Sequence, residues 1–201
     1  YDLAGQLIGV EMPDGSTLGY VYDEAHRLTE VHDGPGNRIV YTLDGMGNRT
    51  KEEAFDPQGI LARTRSRVYD GLNRLAREIG AQAQTTVHTY DGNGNRLTTT
   101  DPLSHATTSS YDALNRLLTM TDPGLGVTSY AHDNAGNLAG VTDSRDLTTT
   151  YGHDGLGNPV SQVSPDTGIT TRTFDAAGNV KTSTDARGAK ATTTYDAAGR
   201  V

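Results

Sequence analysis

Ten aspartates recur along this chain, at Asp2, Asp23, Asp44, Asp70, Asp91, Asp112, Asp133, Asp154, Asp175 and Asp196. A carboxylate can serve as a general acid or base or hold a hard cation, so a repeated Asp is first a candidate for chemistry. The segment Asp91-Gly92-Asn93-Gly94-Asn95 resembles the opening of a calcium loop. Arg96 stands where such a loop requires glycine, and no Glu reaches the twelfth position, so the match is incomplete. Six histidines are scattered along the chain, and His132 and His153 lie one repeat apart. Stacked on adjacent strands, these two could hold a metal or answer to pH; alternatively they are flat rings filling positions that are tyrosine elsewhere. The chain has no cysteine, which removes disulfides, thiolate nucleophiles and Cys-based zinc sites. No Gly-x-Ser-x-Gly elbow, phosphate loop, His-Glu-x-x-His or dinucleotide fingerprint occurs. Neither an enzyme nor a resident cofactor is expected. One sequon, Asn48-Arg49-Thr50, matters only where the source glycosylates secreted proteins.

The neighbours of each Asp give it a different role. Successive aspartates are 21 residues apart, except Asp44 to Asp70, which is 26. Each follows an aromatic or similar residue and is followed, three places on, by Gly5, His26, Gly47, Asn73, Gly94, Asn115, Gly136, Gly157, Gly178 or Gly199. Asp forms Asx turns, and glycine, or asparagine in its place, accepts positive φ, so the mark reads as a turn. Tyrosine precedes it directly at Tyr1, Tyr22, Tyr69, Tyr90, Tyr111 and Tyr195, or by three places at Tyr20, Tyr41, Tyr130 and Tyr151. These two offsets share one face of a strand. Leu7, Leu28, Leu75, Leu117, Leu138 and Val180 recur five places after the Asp, which predicts cross-strand ladders of Tyr and Leu. Thr-rich runs fill the other face, and Asp56-Pro57, Asp101-Pro102 and Asp122-Pro123 mark a second series of turns. Each repeat is therefore predicted to be a hairpin with a tight turn at either end.

A period of this length means an array in which each unit covers its neighbour. The array occupies residues 1–201 and leaves no room for a second domain. Composition agrees: hydrophobic residues are 34%, aromatics 6%, and 24 residues are glycine, too little apolar material for a solid core. The net charge of −8 repels phosphate backbones, so nucleic acid is not an expected partner. No run approaches the length of a membrane span, and no signal peptide opens the chain. Because both ends fall on the repeat mark, the expectation is a segment of a longer protein. The five extra residues between Asp44 and Asp70 are expected to enlarge a loop. Arg63, Arg65 and Arg67 alternate within that stretch and share a face, either solvated or available to an acidic partner.

The recurring Tyr-Asp-x-x-Gly-Asn/Arg-Leu, clearest in Tyr69-Asp70-Gly71-Leu72-Asn73-Arg74-Leu75 and Tyr111-Asp112-Ala113-Leu114-Asn115-Arg116-Leu117, resembles the YD-repeat or Rhs-repeat family along essentially the whole chain. Leu43 and Phe174 replace the tyrosine, and Pro159 the leucine. The resemblance implies an all-β strip of hairpins wound into a spiralling hollow shell. In bacterial polymorphic toxins and toxin complexes such a shell encloses a C-terminal toxin domain; teneurins carry a similar one. It also implies a secreted or cell-surface bacterial location, reached through a secretion system, with flanking Rhs repeats and the enclosed toxin as partners. The family's self-cleavage motif, Asp-Pro-x-Gly-Leu, is approached only by Asp122-Pro123-Gly124-Leu125, which lacks the intervening residue and lies mid-array, so it reads as a turn.

Two alternatives stand beside this reading. The tyrosine ladders could form a binding module for carbohydrate or a cell-surface receptor. The fold could be a β-propeller, since two periods supply four strands; however, odd and even repeats do not alternate in character as propeller blades should. Exposed strand edges and an open apolar face further predict that the chain self-associates.

Overall fold

The computed structural model describes residues 1–196 and 198–200. Among them there are eighteen strands and no helix. The array divides into two compact units, Tyr1–Ala106 and Thr107–Val201. The first unit contains β1 (Gly9–Glu11), β2 (Thr17–Tyr22), β3 (Leu28–Asp33), β4 (Arg38–Leu43) and β5 (Arg49–Phe55). It continues with β6 (Leu61–Tyr69), β7 (Leu75–Ile79), β8 (Thr85–Tyr90) and β9 (Arg96–Thr100). The strands that follow are β10 (Ala106–Tyr111), β11 (Leu117–Thr121), β12 (Val127–His132), β13 (Leu138–Thr142) and β14 (Thr148–His153). Last come β15 (Pro159–Ser164), β16 (Gly168–Phe174), β17 (Val180–Thr184) and β18 (Lys190–Thr192).

Within each unit every strand pairs antiparallel with its neighbours in sequence, from β1 to β9 and from β10 to β18. Propeller blades would break the ladder after every fourth strand. Nine strands run without such a break in each unit, so the propeller alternative is not supported.

The register is the same at each repeat. The residue before the marking Asp faces the residue five places after it: Tyr22 faces Leu28, Tyr69 faces Leu75, and Tyr111 faces Leu117. A bulge then follows, so that Val68 faces Arg77 and Arg67 faces Glu78. This bulge sits at the same step in all eight hairpins that close around Asp23 to Asp175. A bulge of this kind adds local twist. Alternation then sorts the side chains. Tyr20 with Val31, and Tyr130 with Val141, lie on one face. Thr89 with Thr98, Ser110 with Thr119, and Thr173 with Thr182 lie on the other, their hydroxyls 2.6–2.7 Å apart.

The inserted residues do not enlarge a loop, contrary to expectation. Asp44 to Asp56 spans 12 positions where Asp91 to Asp101 spans 10, and Asp56 to Asp70 spans 14 where Asp101 to Asp112 spans 11. Two residues therefore lengthen the outgoing strand and three the returning one. The results are β5 with 7 residues and β6 with 9. Adding unequal numbers leaves one residue unmatched, and a second bulge at Ala54/Phe55 absorbs it. The intervening loop keeps the ordinary form, with Asp56 N–H donating to the Ile60 carbonyl.

No hydrophobic side chain among the described residues is buried. Both faces of each ladder remain open, and the strands are held by main-chain pairing and half-buried cross-strand contacts rather than by a core.

Candidate functional site

The marking aspartates build loops. At all ten marks the Asp N–H donates to the carbonyl four places on, and the N–H three places on returns to the Asp carbonyl. The carboxylate closes the loop from within. Its Oδ1 accepts the N–H two places on at 2.9–3.0 Å and the N–H four places on at 2.8–3.0 Å. The residue three places on has positive φ whether it is Gly94 at 93°, Asn73 at 66°, Asn115 at 62° or His26 at 61°. His26, the odd member of the series, has a second reason to stand there. Its Nδ1 lies 2.9 Å from Gln6 Oε1 while Gln6 Nε2 donates to the His26 carbonyl, tying two successive loops together.

The residue four places after the Asp contributes a function that the spacing did not reveal. Asn at this place donates back to its own Asp, as Asn137 Nδ2 does to Asp133 Oδ2 at 3.0 Å. Arg does more. Arg27 Nε donates to Asp23 Oδ2 and its Nη1 reaches the Asp44 carbonyl at 2.8 Å. Arg74 joins Asp70 to the Asp91 carbonyl at 2.9 Å, and Arg116 joins Asp112 to the Asp133 carbonyl. Each such arginine staples one loop to the next. The planar guanidinium offers these donors from separate nitrogens in a fixed fork, Nε to the carboxylate and Nη1 to the carbonyl, whereas an ammonium offers all its donors from one nitrogen.

These bonds account for the titration behaviour of the loops. The carboxyls of Asp23, Asp44, Asp91, Asp133 and Asp154 are held below the ordinary carboxylate value chiefly by the side chain four places on. At Asp70, Asp112, Asp175 and Asp196 the backbone N–H of that residue leads. A carboxylate stabilised in its charged form is a poor proton donor or acceptor near neutral pH.

Tyrosine hydroxyls are engaged as well. Tyr22 donates to the Leu7 carbonyl at 3.0 Å, Tyr90 to Leu75 at 2.8 Å and Tyr195 to Val180 at 3.2 Å, each reaching back fifteen residues. Arg74 also lies over the Tyr90 ring at 4.6 Å. These rings thus anchor to a carbonyl of the preceding repeat, while the residue facing the ring varies: Leu28 opposite Tyr22 but Arg96 opposite Tyr90.

The remaining candidates resolve in the same direction. Asp91 accepts from Asn93 N–H, Asn95 N–H and Asn95 Nδ2, so both of its oxygens already serve the loop that resembles a calcium site. Among the described residues no group of three or more His, Cys, Asp or Glu could hold a metal. His132 and His153 face Leu138 and Pro159 in the register used by Tyr22 and Leu28. One strand, β13, lies between theirs, so the two histidines are not on adjacent strands and stand about 9.6 Å apart in the pairing direction. Asn48 is tied by its Nδ2 to Asp44 and Asn73, so the sequon side chain is not free. Arg63, Arg65 and Arg67 are not simply solvated: Glu52 and Glu78, on the strands either side, pair with them.

Hairpins closed by Asx loops of one form and paired edge to edge define a β-hairpin repeat protein whose marking aspartates close its turns. The RHS repeat model matches residues 1–38, 69–106, 90–124, 111–146, 132–169 and 174–201, and the chain belongs to the Rhs-repeat family. Solved structures share the fold. The TcdB2-TccC3-Cdc42 structure matches 92% of this chain at 14% identity and a TM-score of 0.64. TcdB2-TccC3 without its hypervariable C-terminal region matches 92% at 15% identity and 0.64. The Tc holotoxin pore of Photorhabdus luminescens with a TccC3 substitution matches 85% at 14% identity and 0.61. This chain spans 12% of each of those three neighbours. A search of curated sequences gave no match. No helix among the described residues is long and apolar enough to cross a membrane.

Proposed function

We propose that this chain is a wall segment of a secreted bacterial Rhs-type shell that encloses or presents a C-terminal toxin domain, and that it acts without catalysis. The observation that carries this reading is the absence of any buried hydrophobic side chain among the described residues, combined with unbroken pairing of successive strands. A sheet built this way extends by adding hairpins and has a surface on each side; it is suited to being a wall. Family membership and the likeness in fold to toxin-complex structures support the same role. Its partners are then flanking Rhs repeats and the enclosed domain. The carbohydrate or receptor-binding alternative draws less support, because Tyr22, Tyr90 and Tyr195 commit their hydroxyls to backbone carbonyls.

The test is protease protection of the parent polypeptide. Expressed whole, its C-terminal domain should resist digestion until the sheet is unfolded. Equal susceptibility of that domain inside and outside the parent would refute enclosure. A glycan array read with the Tyr90→Ala variant tests the alternative, which requires specific binding that the substitution abolishes.

A further inference from the structure

The two strands lengthened by the insertion carry Arg49, Lys51, Glu52, Glu53, Arg63, Arg65 and Arg67. Residues 39–68 lie outside the segments matched to the family model, so this feature departs from the repeat pattern. Arg63, Arg65 and Arg67 alternate along β6, and the register sets Arg65 opposite Glu52 and Arg67 opposite Glu78, on the tyrosine face. Arg63 pairs with Glu52 at 2.9 Å, and Glu78 takes Arg65 at 2.5 Å and Arg67 at 3.3 Å. Arg49 stands on the same face over the Tyr41 ring at 3.9 Å. Four guanidiniums therefore meet two carboxylates, a local positive excess in a chain of net charge −8. Exposure rises along the row: the Arg67 side chain is 17% exposed, Arg65 46% and Arg63 62%. A groove lined by Arg63, Arg65, Glu78, Gln84 and Thr86 runs beside it.

We propose that this arginine row docks an extended acidic polypeptide segment bearing carboxylates at alternate positions. The inference goes beyond the shell role and does not depend on it. Alternate residues of a strand are about 6.8 Å apart, so side chains on one face of an added extended segment match the pitch of Arg63, Arg65 and Arg67. Each guanidinium has five N–H donors in a planar fork suited to carboxylate, and the pairs with Glu52 and Glu78 leave donors over. Glu52 and Glu78 orient the row, and they oppose a continuous polyphosphate, whose charges cannot avoid them.

The experiment is fluorescence anisotropy at low salt with three labelled probes: the peptide Glu-Thr-Glu-Thr-Glu-Thr-Glu, its lysine counterpart and a 12-nucleotide single strand of DNA. The acidic peptide should bind and the other two should bind at least tenfold more weakly. The double variant Arg63→Gln/Arg65→Gln should lose at least tenfold in affinity. Arg63→Lys/Arg65→Lys, which keeps the charge but not the fork, should show an intermediate loss. Lys51→Gln/Arg77→Gln, on the opposite face, should bind as the parent does. Far-ultraviolet circular dichroism checks that each variant retains its sheet, and the lysine variant carries the test if the glutamine variant unfolds. Absence of peptide binding, tighter binding of DNA, or equal loss in the opposite-face variant would overturn the proposal.

Discussion

Leu125→Gly should stabilise this protein although it removes a large apolar side chain. Leu125 occupies the fourth place of the turn that begins at Asp122, with φ of 66°, and its N–H donates to the Asp122 carbonyl at 3.0 Å. That is the place held by glycine or asparagine in most of the marking loops, and it imposes the same left-handed backbone. An L-residue there costs roughly 1–2 kcal/mol. Glycine removes this strain but makes the unfolded chain more flexible, which offsets about 0.5–1 kcal/mol. The side chain contributes little in return, being 81% exposed. The net gain should be about 0.5–1 kcal/mol, or roughly 1–4 °C in melting temperature for a chain of this size. Urea unfolding followed by circular dichroism measures it, with the slope unchanged and the midpoint raised. The reciprocal change, Gly136→Leu at φ of 91°, should destabilise. A lowered midpoint for Leu125→Gly would refute the reasoning. It would mean that Leu125 has a packing role and that Asp122-Pro123-Gly124-Leu125 is more than a turn.

Three other expectations use the same ladder. Tyr90→Phe keeps the ring but loses the bond to the Leu75 carbonyl, and should cost about 1 kcal/mol in urea unfolding. Arg74→Gln cannot reach both Asp70 and the Asp91 carbonyl, so amide exchange across the Asp91 loop should speed up roughly three- to tenfold while the Asp133 loop, stapled by Arg116, is unaffected. Acid should unfold the chain in a defined direction. The marking carboxyls that are held low in the folded state contribute stability fully above their unfolded value of about 3.9, and that contribution is lost as pH falls through the lower folded values. The urea midpoint should therefore be level above about pH 5 and fall steadily below pH 4; a midpoint that rose on acidification would contradict the loop bonding.

Much of the hairpin was legible because its determinants are local. At Asp101-Pro102 the proline pre-sets φ for a turn and the carboxylate supplies the acceptor, so two adjacent residues suffice to place it. Asp101 closes its loop onto Leu103 and His105 as the marking aspartates close theirs. The period of 21 and the Tyr and Leu offsets then fix strand direction and facing. What stayed hidden depends on neighbours that the period alone does not specify. The staples formed by Arg27, Arg74 and Arg116 end on a carbonyl 17 residues away, and any residue supplies a carbonyl, so composition leaves no trace of the acceptor.

The insertion shows the same limit more sharply. Five extra residues between two turn marks are compatible with one long loop or with two long strands, and residue type favours neither. The decision lies in where the intermediate turn falls: Asp56-Pro57 divides the excess into two and three. Unequal strands need a bulge, and that bulge restores the parity that sets Arg63 and Arg65 against Ala54 and Glu52. Had the extra residues formed a loop, the three arginines would have had no fixed partners and only a diffuse charge. Placed on strands, they gain alternate spacing, a common face and two oriented glutamates. A length change that the repeat absorbs as strand thus creates a surface that the rest of the array does not have.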